Sequence, residues 1–178
     1  FGHVGPAFQR PVVGICLVLS AVALSEGFQG QRTAVTVGDA DAAPGVRAYG
    51  KLHIPAGGDA AVEIPVAVIN GAKPGKAIAF VAGSHGTEYT SIVALTRLIE
   101  QIDPRTLSGT AIVVPLLNVA SFEQMTVHVN PIDKKGMNAS YPGSLTGTQS
   151  ERALAAVSEQ IVKPADVIVD LHGGDLDE

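Results

Sequence analysis

Two histidines and one glutamate lie where a metal ion could be bound. His85 and Glu88 are three residues apart in a Gly-rich turn that follows the apolar run 77–82. His172 follows a second apolar run, 166–171, and two glycines come after it. Ligands of α/β proteins bind outside the carboxyl ends of such strands, so both histidines are expected at one edge of a sheet. Two imidazoles and one carboxylate that leave a fourth position open are typical of a catalytic zinc site.

Two neighbouring residues refine this interpretation. Asp170 lies two residues before His172 and therefore on the same side of the strand, so its carboxylate is predicted to orient that histidine. Ser84 lies in Ala-Gly-Ser-His-Gly, a near match to the nucleophile elbow G-x-S-x-G. That near match keeps a serine hydrolase open as an alternative. A single His-x-x-Glu is common by chance, so the metal prediction depends on both histidine turns together.

Short apolar runs alternate with helical patterns along the chain. Strands are predicted at 46–54, 61–69, 77–82, 110–117 and 166–171, and helices at 88–102 and 148–162. The proline within 61–69 predicts an edge strand, whereas the continuous apolar residues of 166–171 predict a buried one. The Asn-, Pro- and Gly-rich segment 118–148 is predicted to be a loop. The pattern indicates an α/β fold, with a mixed, largely parallel sheet and helices on both faces.

Composition narrows the classes of function. The 178 residues are 46% hydrophobic and carry a formal net charge of −5, which indicates a folded, acidic protein. Aromatic residues make up 4% and tryptophan is absent, so no nucleic-acid partner is expected. Cys16 is the single cysteine, which excludes an internal disulfide and a cysteine-based zinc site. Any metal must therefore be held by His, Asp or Glu.

The amino-terminal residues have the pattern of a secretory signal. Residues 12–25 are apolar and uncharged, follow Arg10 and end in small residues. They fall short of the roughly 20 apolar residues of a transmembrane helix, so no stable membrane span is expected. We predict a signal peptide at 1–25, with a membrane anchor or a buried helix as alternatives, and a flexible lead-in at 26–45. The protein is then exported to the periplasm or the cell exterior, and 46–178 form the amino-terminal part of a catalytic domain.

Four motifs, in this order, resemble those of one enzyme family. They are Gly-Ser-His-Gly-Thr-Glu at 83–88, Asn-Pro-Ile-Asp with the following Met-Asn and Tyr-Pro-Gly at 130–143, Gly-Thr-Gln-Ser-Glu-Arg at 147–152 and Asp-Leu-His-Gly-Gly at 170–174. Over residues 45–178 the chain resembles the succinylglutamate desuccinylase/aspartoacylase family of the zinc carboxypeptidase-like superfamily. The resemblance implies that superfamily's fold and one zinc ion held by His85, Glu88 and His172.

The resemblance also implies a reaction, the hydrolysis of an amide that separates an amine from an acyl group. Asn138 matches a substrate-binding asparagine of the family. Ala139 stands where the family carries an arginine, so the bidentate grip on a substrate carboxylate is lost. His128 stands where the family carries a second arginine, which makes it a candidate donor to the oxyanion. The general base belongs to a later segment of the family and is not found here, so the domain is expected to be truncated at its carboxyl end.

The sequence therefore predicts a zinc-dependent hydrolase that cleaves an amide or ester bond, similar to deacylases of N-acyl amino acids. Its expected substrate is a small acylated amine or a peptide-like molecule. Because Ala139 cannot bind a carboxylate, an ordinary N-acyl amino acid held by its α-carboxylate is not expected. Two alternatives remain, a catalytically impaired domain that binds zinc or a ligand and a serine hydrolase that uses Ser84.

Overall fold

A five-stranded mixed sheet forms the centre of the fold in a computed structural model, which describes residues 32–174. The strands are β1 Val35–Val37, β2 Ala40–Ala42, β3 Val46–Ile54, β4 Val62–Asn70, β5 Lys73–Ala82, β6 Ser108–Val114 and β7 Val167–Leu171. The helices are α1 Tyr89–Gln101, α2 Val119–Gln124 and α3 Gln149–Val157, and α3 continues into a π-helical turn at Ser158–Val162. The main sheet has the order β3-β4-β6-β5-β7, while β1 and β2 form a separate hairpin.

The sheet combines antiparallel and parallel pairs and carries helices on both faces. β3 with β4 and β4 with β6 are antiparallel, whereas β5 is parallel to both β6 and β7. On one face, Leu95 and Ile99 of α1 pack against Val113 of β6. On the other face, Leu154 of α3 and Ile161 of the π-helical turn join the larger core cluster. The predicted mixed α/β sheet is confirmed, with its parallel pairs confined to β6-β5-β7.

β5 lies at a point where the chain changes direction across the sheet. From β5 the chain crosses through α1 to β6 on one side, and it later crosses through α3 to β7 on the other side. β5 and β7 end level with each other, because Ala82 pairs with Leu171. Crevices at such switch points are the usual ligand sites of open α/β sheets. The segments that follow Ala82 and Leu171 therefore meet at one place.

The amino-terminal boundary needs a correction. The flexible lead-in predicted for 26–45 is wrong where β1 and β2 form, because these strands pair as an antiparallel hairpin. Val37, Ala40 and Ala42 are buried in the larger core cluster. The small polar residues of this segment make it look unstructured. Within each strand, however, apolar residues alternate with polar ones, and the apolar residues face the core. The predicted signal at 12–25 lies outside the described residues.

Two strand predictions are wrong about position in the sheet. β4 lies between β3 and β6 and is therefore an interior strand, although it contains Pro65. The proline is tolerated because the pairing of β4 with β6 begins only at Ala67. Pro65 pairs with β3 alone, so its missing N–H removes no hydrogen bond to β6. β7, predicted to be buried, is an edge strand of the described sheet, and Val167, Ile168 and Val169 are exposed.

The helical predictions hold better. The predicted helix 88–102 is confirmed as α1, and its apolar face is buried. The predicted loop 118–148 contains the short helix α2, which Asn118 caps by accepting a hydrogen bond from the Ser121 N–H. The second predicted helix is confirmed as α3 and the π-helical turn, with Thr148 as its cap. Over residues 32–174, no helix is both long and apolar enough to cross a bilayer.

Candidate metal centre

The turn after β5 brings His85 and Glu88 together. Gly83 begins the turn with φ +67°, a conformation that favours glycine. Gly86 lies against α2, where a Cβ atom would collide with the backbone N of Phe122. Glu88 is the N-cap residue of α1, but its carboxylate does not cap the helix. Its Oε1 lies 2.8 Å from Nδ1 of His85 instead.

His172 completes the group from the end of β7. Its Nδ1 lies 3.1 Å from Oε2 and 3.4 Å from Oε1 of Glu88. One ligand atom from each of His85, Glu88 and His172 lies within 4.8 Å of the others. Zinc bonds of 2.0–2.1 Å in a tetrahedron separate neighbouring ligand atoms by about 3.3 Å, so the spacing suits a small tetrahedral cation. The structure thus brings together the three residues that the sequence selected.

The donor set also fits a cation on electrostatic grounds. The Glu88 side chain is 6% exposed, and its ion-pair partners within residues 32–174 are the two histidines. A buried carboxylate is stabilised by a compensating positive charge, which a metal ion bound between these three side chains would supply. Both histidines turn the same ring atom, Nδ1, toward Glu88, so three donor atoms converge on one point. The side chain of His172 is 37% exposed, which leaves the group open to solvent on that side.

Asp170 lies behind His172, as the sequence predicted. Its Oδ2 is 3.2 Å from Nε2, the ring nitrogen that faces away from Glu88. A carboxylate at the outer nitrogen fixes the tautomer and orientation of a metal-binding histidine. In the tautomer with Nε2–H, Asp170 accepts a hydrogen bond from His172, and Nδ1 is left available for a metal.

The segment between α2 and α3 brings two more predicted residues to His85. The ring of His128 packs edge-on against the His85 ring, with centroids 4.9 Å apart. Asn138 places its amide Nδ2 3.5 Å from Nε2 of His85. Ala139, which follows, is exposed and offers no polar group. The candidate oxyanion donor and the candidate substrate residue therefore both border the proposed metal position.

This segment is fixed to the amino terminus of α3, a connection that the sequence did not suggest. Asn130 is buried, and its Nδ2 donates to Oε1 of Gln149 at 2.9 Å. Asp133 accepts from the backbone N of Ser150 at 2.9 Å and from its Oγ at 3.0 Å. Burial raises the pKa of Asp133, but hydrogen bonds, first of all from Ser150, outweigh burial and hold this pKa below its ordinary value. Asp133 thus lies midway between His128 and Asn138 and anchors both.

Tyr141 is a second residue that the motif analysis left without a role. Partial burial of the side chain, which is 39% exposed, and then the negative charge of Asp170 raise the pKa of Tyr141 to about 12. The phenol therefore keeps its proton at any physiological pH and remains a hydrogen-bond donor near the carboxylate that orients His172. The Tyr-Pro-Gly element of the sequence was the available signal for it.

The structure does not support the serine alternative. Ser84 is fully buried, and within the described part of the chain its Oγ has no hydrogen-bond partner. A serine nucleophile must be accessible and must reach a basic side chain, usually a histidine. His85 instead turns its Nδ1 toward Glu88, and His172 does the same.

Comparison with known proteins assigns the fold and the family. A solved aspartoacylase family protein of Mesorhizobium loti superposes with a TM-score of 0.67 at 31% identity, covering 71% of this chain and 40% of that one. A metallo-carboxypeptidase of Pseudomonas aeruginosa superposes with a TM-score of 0.53 at 14% identity, covering 64% of this chain and 32% of that one. The second likeness shows the fold alone, which confirms the carboxypeptidase-like architecture.

One curated relative and one family model give the narrower assignment. The N-alpha-acetyl-L-2,4-diaminobutyric acid deacetylase of Halomonas elongata is 32% identical over 130 residues, which are 71% of this chain and 37% of the relative. The chain therefore spans about two fifths of the length of such relatives. The model of the succinylglutamate desuccinylase/aspartoacylase catalytic domain matches residues 74–176. The chain belongs to the succinylglutamate desuccinylase/aspartoacylase family.

Proposed function

We propose that this chain carries most of the metal site of a zinc-dependent amide hydrolase that releases small amines from acyl groups. The observation that carries the proposal is that His85 and His172 both turn Nδ1 toward the Glu88 carboxylate, and that one donor atom from each of the three residues lies within 4.8 Å of the others. Membership of a deacylase family supports the reaction class. The match covers 37% of the relative's length, so the activity of the whole enzyme is part of this proposal, and no general base is assigned among residues 32–174.

Each surrounding residue has a role in this proposal. A zinc ion held by the three donors would polarise the scissile carbonyl and lower the pKa of a bound water to about 7. Asp170 keeps the His172 ring in its metal-binding orientation. The ring of His128 packs against His85, so His128 is our candidate donor to the substrate oxygen on which negative charge develops. Asn138 binds the substrate next to the same histidine.

The substrate class follows from what borders the site. A relative is an N-acetyl-diaminobutyrate deacetylase, so a small N-acylated amine is the first class to test. Ala139 offers no guanidinium for a substrate carboxylate. The loop ring that packs against His85 is the imidazole of His128, which lacks the two-pronged geometry of an arginine. We therefore propose that the substrate is not held by a carboxylate fork. An ester or amide without an adjacent carboxylate should compete well with N-acyl amino acids.

Metal analysis of the purified chain tests the site. We expect about one zinc per chain by elemental analysis, and its loss in His85→Ala and His172→Ala variants that keep the parent circular dichroism spectrum. The matched control is His53→Ala, which removes an exposed histidine that pairs with Asp39 and Glu63 and lies on β3, the edge strand opposite β7. Retained zinc in both site variants, or a folded parent without zinc, would refute the proposal.

Hydrolysis is the second measurement. Release of acetate from N-acetylated diamines, sensitive to chelators, would establish the reaction class. One zinc per chain without hydrolysis of any acylated amine would instead support the impaired zinc-binding domain, which Ala139 and His128 favour as departures from the family pattern.

We also propose export, on the apolar residues 12–25 that follow Arg10. Expression of the natural gene and sequencing of the mature amino terminus tests this. A mature protein that begins between residues 22 and 26 supports a signal peptide, and an intact amino terminus in a cytosolic fraction contradicts it.

A further inference from the structure

The two histidines of the candidate centre have the same arrangement of partners at their two ring nitrogens. Each turns Nδ1 toward Glu88 and has a polar side chain at Nε2. At His172 that side chain is the Asp170 carboxylate, 3.2 Å away. At His85 it is the Asn138 amide, 3.5 Å away. The two outer partners differ in one respect, because a carboxylate only accepts hydrogen bonds whereas an amide can accept or donate.

The tautomer of His85 decides which end of the Asn138 amide is suitable. When Nδ1 is a metal ligand, a neutral imidazole carries its proton on Nε2, which then has to donate. Asp170 suits this tautomer at His172. Asn138 suits it at His85 only when Oδ1, and not Nδ2, faces the ring. The orientation with Nδ2 toward Nε2 suits the other tautomer, in which Nδ1–H donates to Glu88 across 2.8 Å.

We propose that Asn138 is a positioning residue for His85, and that metal ligation by His85 turns the Asn138 amide so that Oδ1 accepts from Nε2. The exchange of amide ends leaves the shape of the side chain almost unchanged, so it needs no movement of the loop. It also turns the two N–H bonds of Nδ2 away from His85. Metal loading and the presentation of a substrate-facing donor are then coupled through one amide. This inference rests on the proposed zinc site.

The loop around Asn138 is held firmly enough for such a role. Its neighbour Met137 is buried, and Ser140 donates from Oγ to the Gly136 carbonyl at 2.8 Å. Asp133 fixes the preceding turn to α3. The backbone of Asn138 is therefore anchored on both sides, while its exposed side chain keeps freedom at the terminal torsion.

Zinc affinity of the full chain, measured by competition with a chromophoric chelator, tests the proposal. Outer-shell partners of metal ligands typically contribute 10–100-fold in affinity. We expect Asn138→Ala to weaken zinc binding about tenfold. Asn138→Asp, which can only accept, should bind zinc at least as tightly as the parent. An amide that acted through Nδ2 would give the opposite result, because Asp cannot replace a donor.

Two controls separate this role from simpler effects. Ala139→Asp adds the same charge one residue away, so Asn138→Asp must bind zinc more tightly than Ala139→Asp. Leu145→Ala changes an exposed residue of the same loop that takes no part in anchoring Asn138, and should leave affinity unchanged. Parent-like affinity of Asn138→Ala, or Asn138→Asp as weak as Asn138→Ala, would overturn the inference and leave the zinc site intact. A folded parent that binds no zinc would overturn both this inference and the proposed function.

Discussion

Replacing Asp133 by asparagine should loosen the loop that carries the candidate site. The carboxylate accepts from the Ser150 backbone on Oδ2, and from the Ser150 hydroxyl and the Lys135 backbone on Oδ1. Because both oxygens accept, an asparagine in either orientation points its NH2 group at a donor. The substitution therefore removes a favourable contact and adds an unfavourable one, while the size of the side chain stays the same.

The cost follows from the kind of contact. Loss of a side chain that caps a helix amide costs about 0.5–2 kcal/mol, and hydrogen bonds to a charged group contribute about 1.5–3 kcal/mol. Asp133 is not fully enclosed, so we expect a loss of about 1–2 kcal/mol in the free energy of unfolding. For a domain of this size, that corresponds to a fall of about 2–8 °C in Tm.

The assay combines urea unfolding with amide hydrogen exchange. Asp59→Asn is the control, because Asp59 accepts from the neighbouring α3 amide of Gln149 at 2.8 Å and pairs with Arg152 at 2.7 Å, but among residues 32–174 it has no bond to the site loop. Both variants should be destabilised, yet only Asp133→Asn should speed exchange across residues 128–138. A loss below about 0.5 kcal/mol, the range of ordinary surface substitutions, would refute the reasoning about the anchor. So would equal exchange in both variants.

Three further predictions concern stability. Lys135, and then the Thr148 cap, lower the pKa of Glu151 from 4.5 to about 2, so the stability that Glu151 contributes is complete above pH 4.5 and is lost as the pH falls through 2; urea midpoints of Glu151→Gln should fall less steeply with acid than the parent's. Asp39 raises the pKa of His53 above 6.5, so that contribution is complete below pH 6.5 and is lost as the pH rises through the raised pKa; His53→Gln should remove this alkaline decline in Tm. Leu154→Ala empties a fully buried position and should lower the free energy of urea unfolding by about 2–5 kcal/mol with an unchanged m-value.

Local signals in the sequence were sufficient for the elements that carry the metal donors. The apolar runs before His85 and His172 are β5 and β7, and the helix between 88 and 102 is α1. Glycine at 83 and 86 marked the turn that brings His85 to Glu88. Each of these features depends on residues a few positions apart, so periodicity and turn composition predict them.

Features that depend on distant partners escaped prediction. Pro65 favours an edge strand, but the length of its neighbour β6 decides that β4 is interior. β7 is as apolar as a buried strand, yet its burial depends on what pairs beyond it. The hydrogen bond from the Ser150 N–H of α3 to Asp133 joins residues 17 apart in sequence, and no local pattern predicts this pairing. The hairpin at 35–42 is stabilised by a core that lies elsewhere in the chain.

The candidate site depends on the same long-range pairing, and this has a measurable consequence. His85 and Glu88 are brought together by one turn, but His172 joins them only while β7 pairs with β5. On the proposed function, zinc binding and the docking of β7 are therefore linked, and zinc at a hundred times its Kd should add about 2.7 kcal/mol to stability. We expect zinc to raise Tm by about 5–10 °C and to slow amide exchange in β7, the most exposed strand of the described sheet. His172→Ala should lose both effects, because it removes the metal donor that directly follows β7. An equal rise of Tm in that variant would show that zinc binds to the local pair and that β7 is not part of the site.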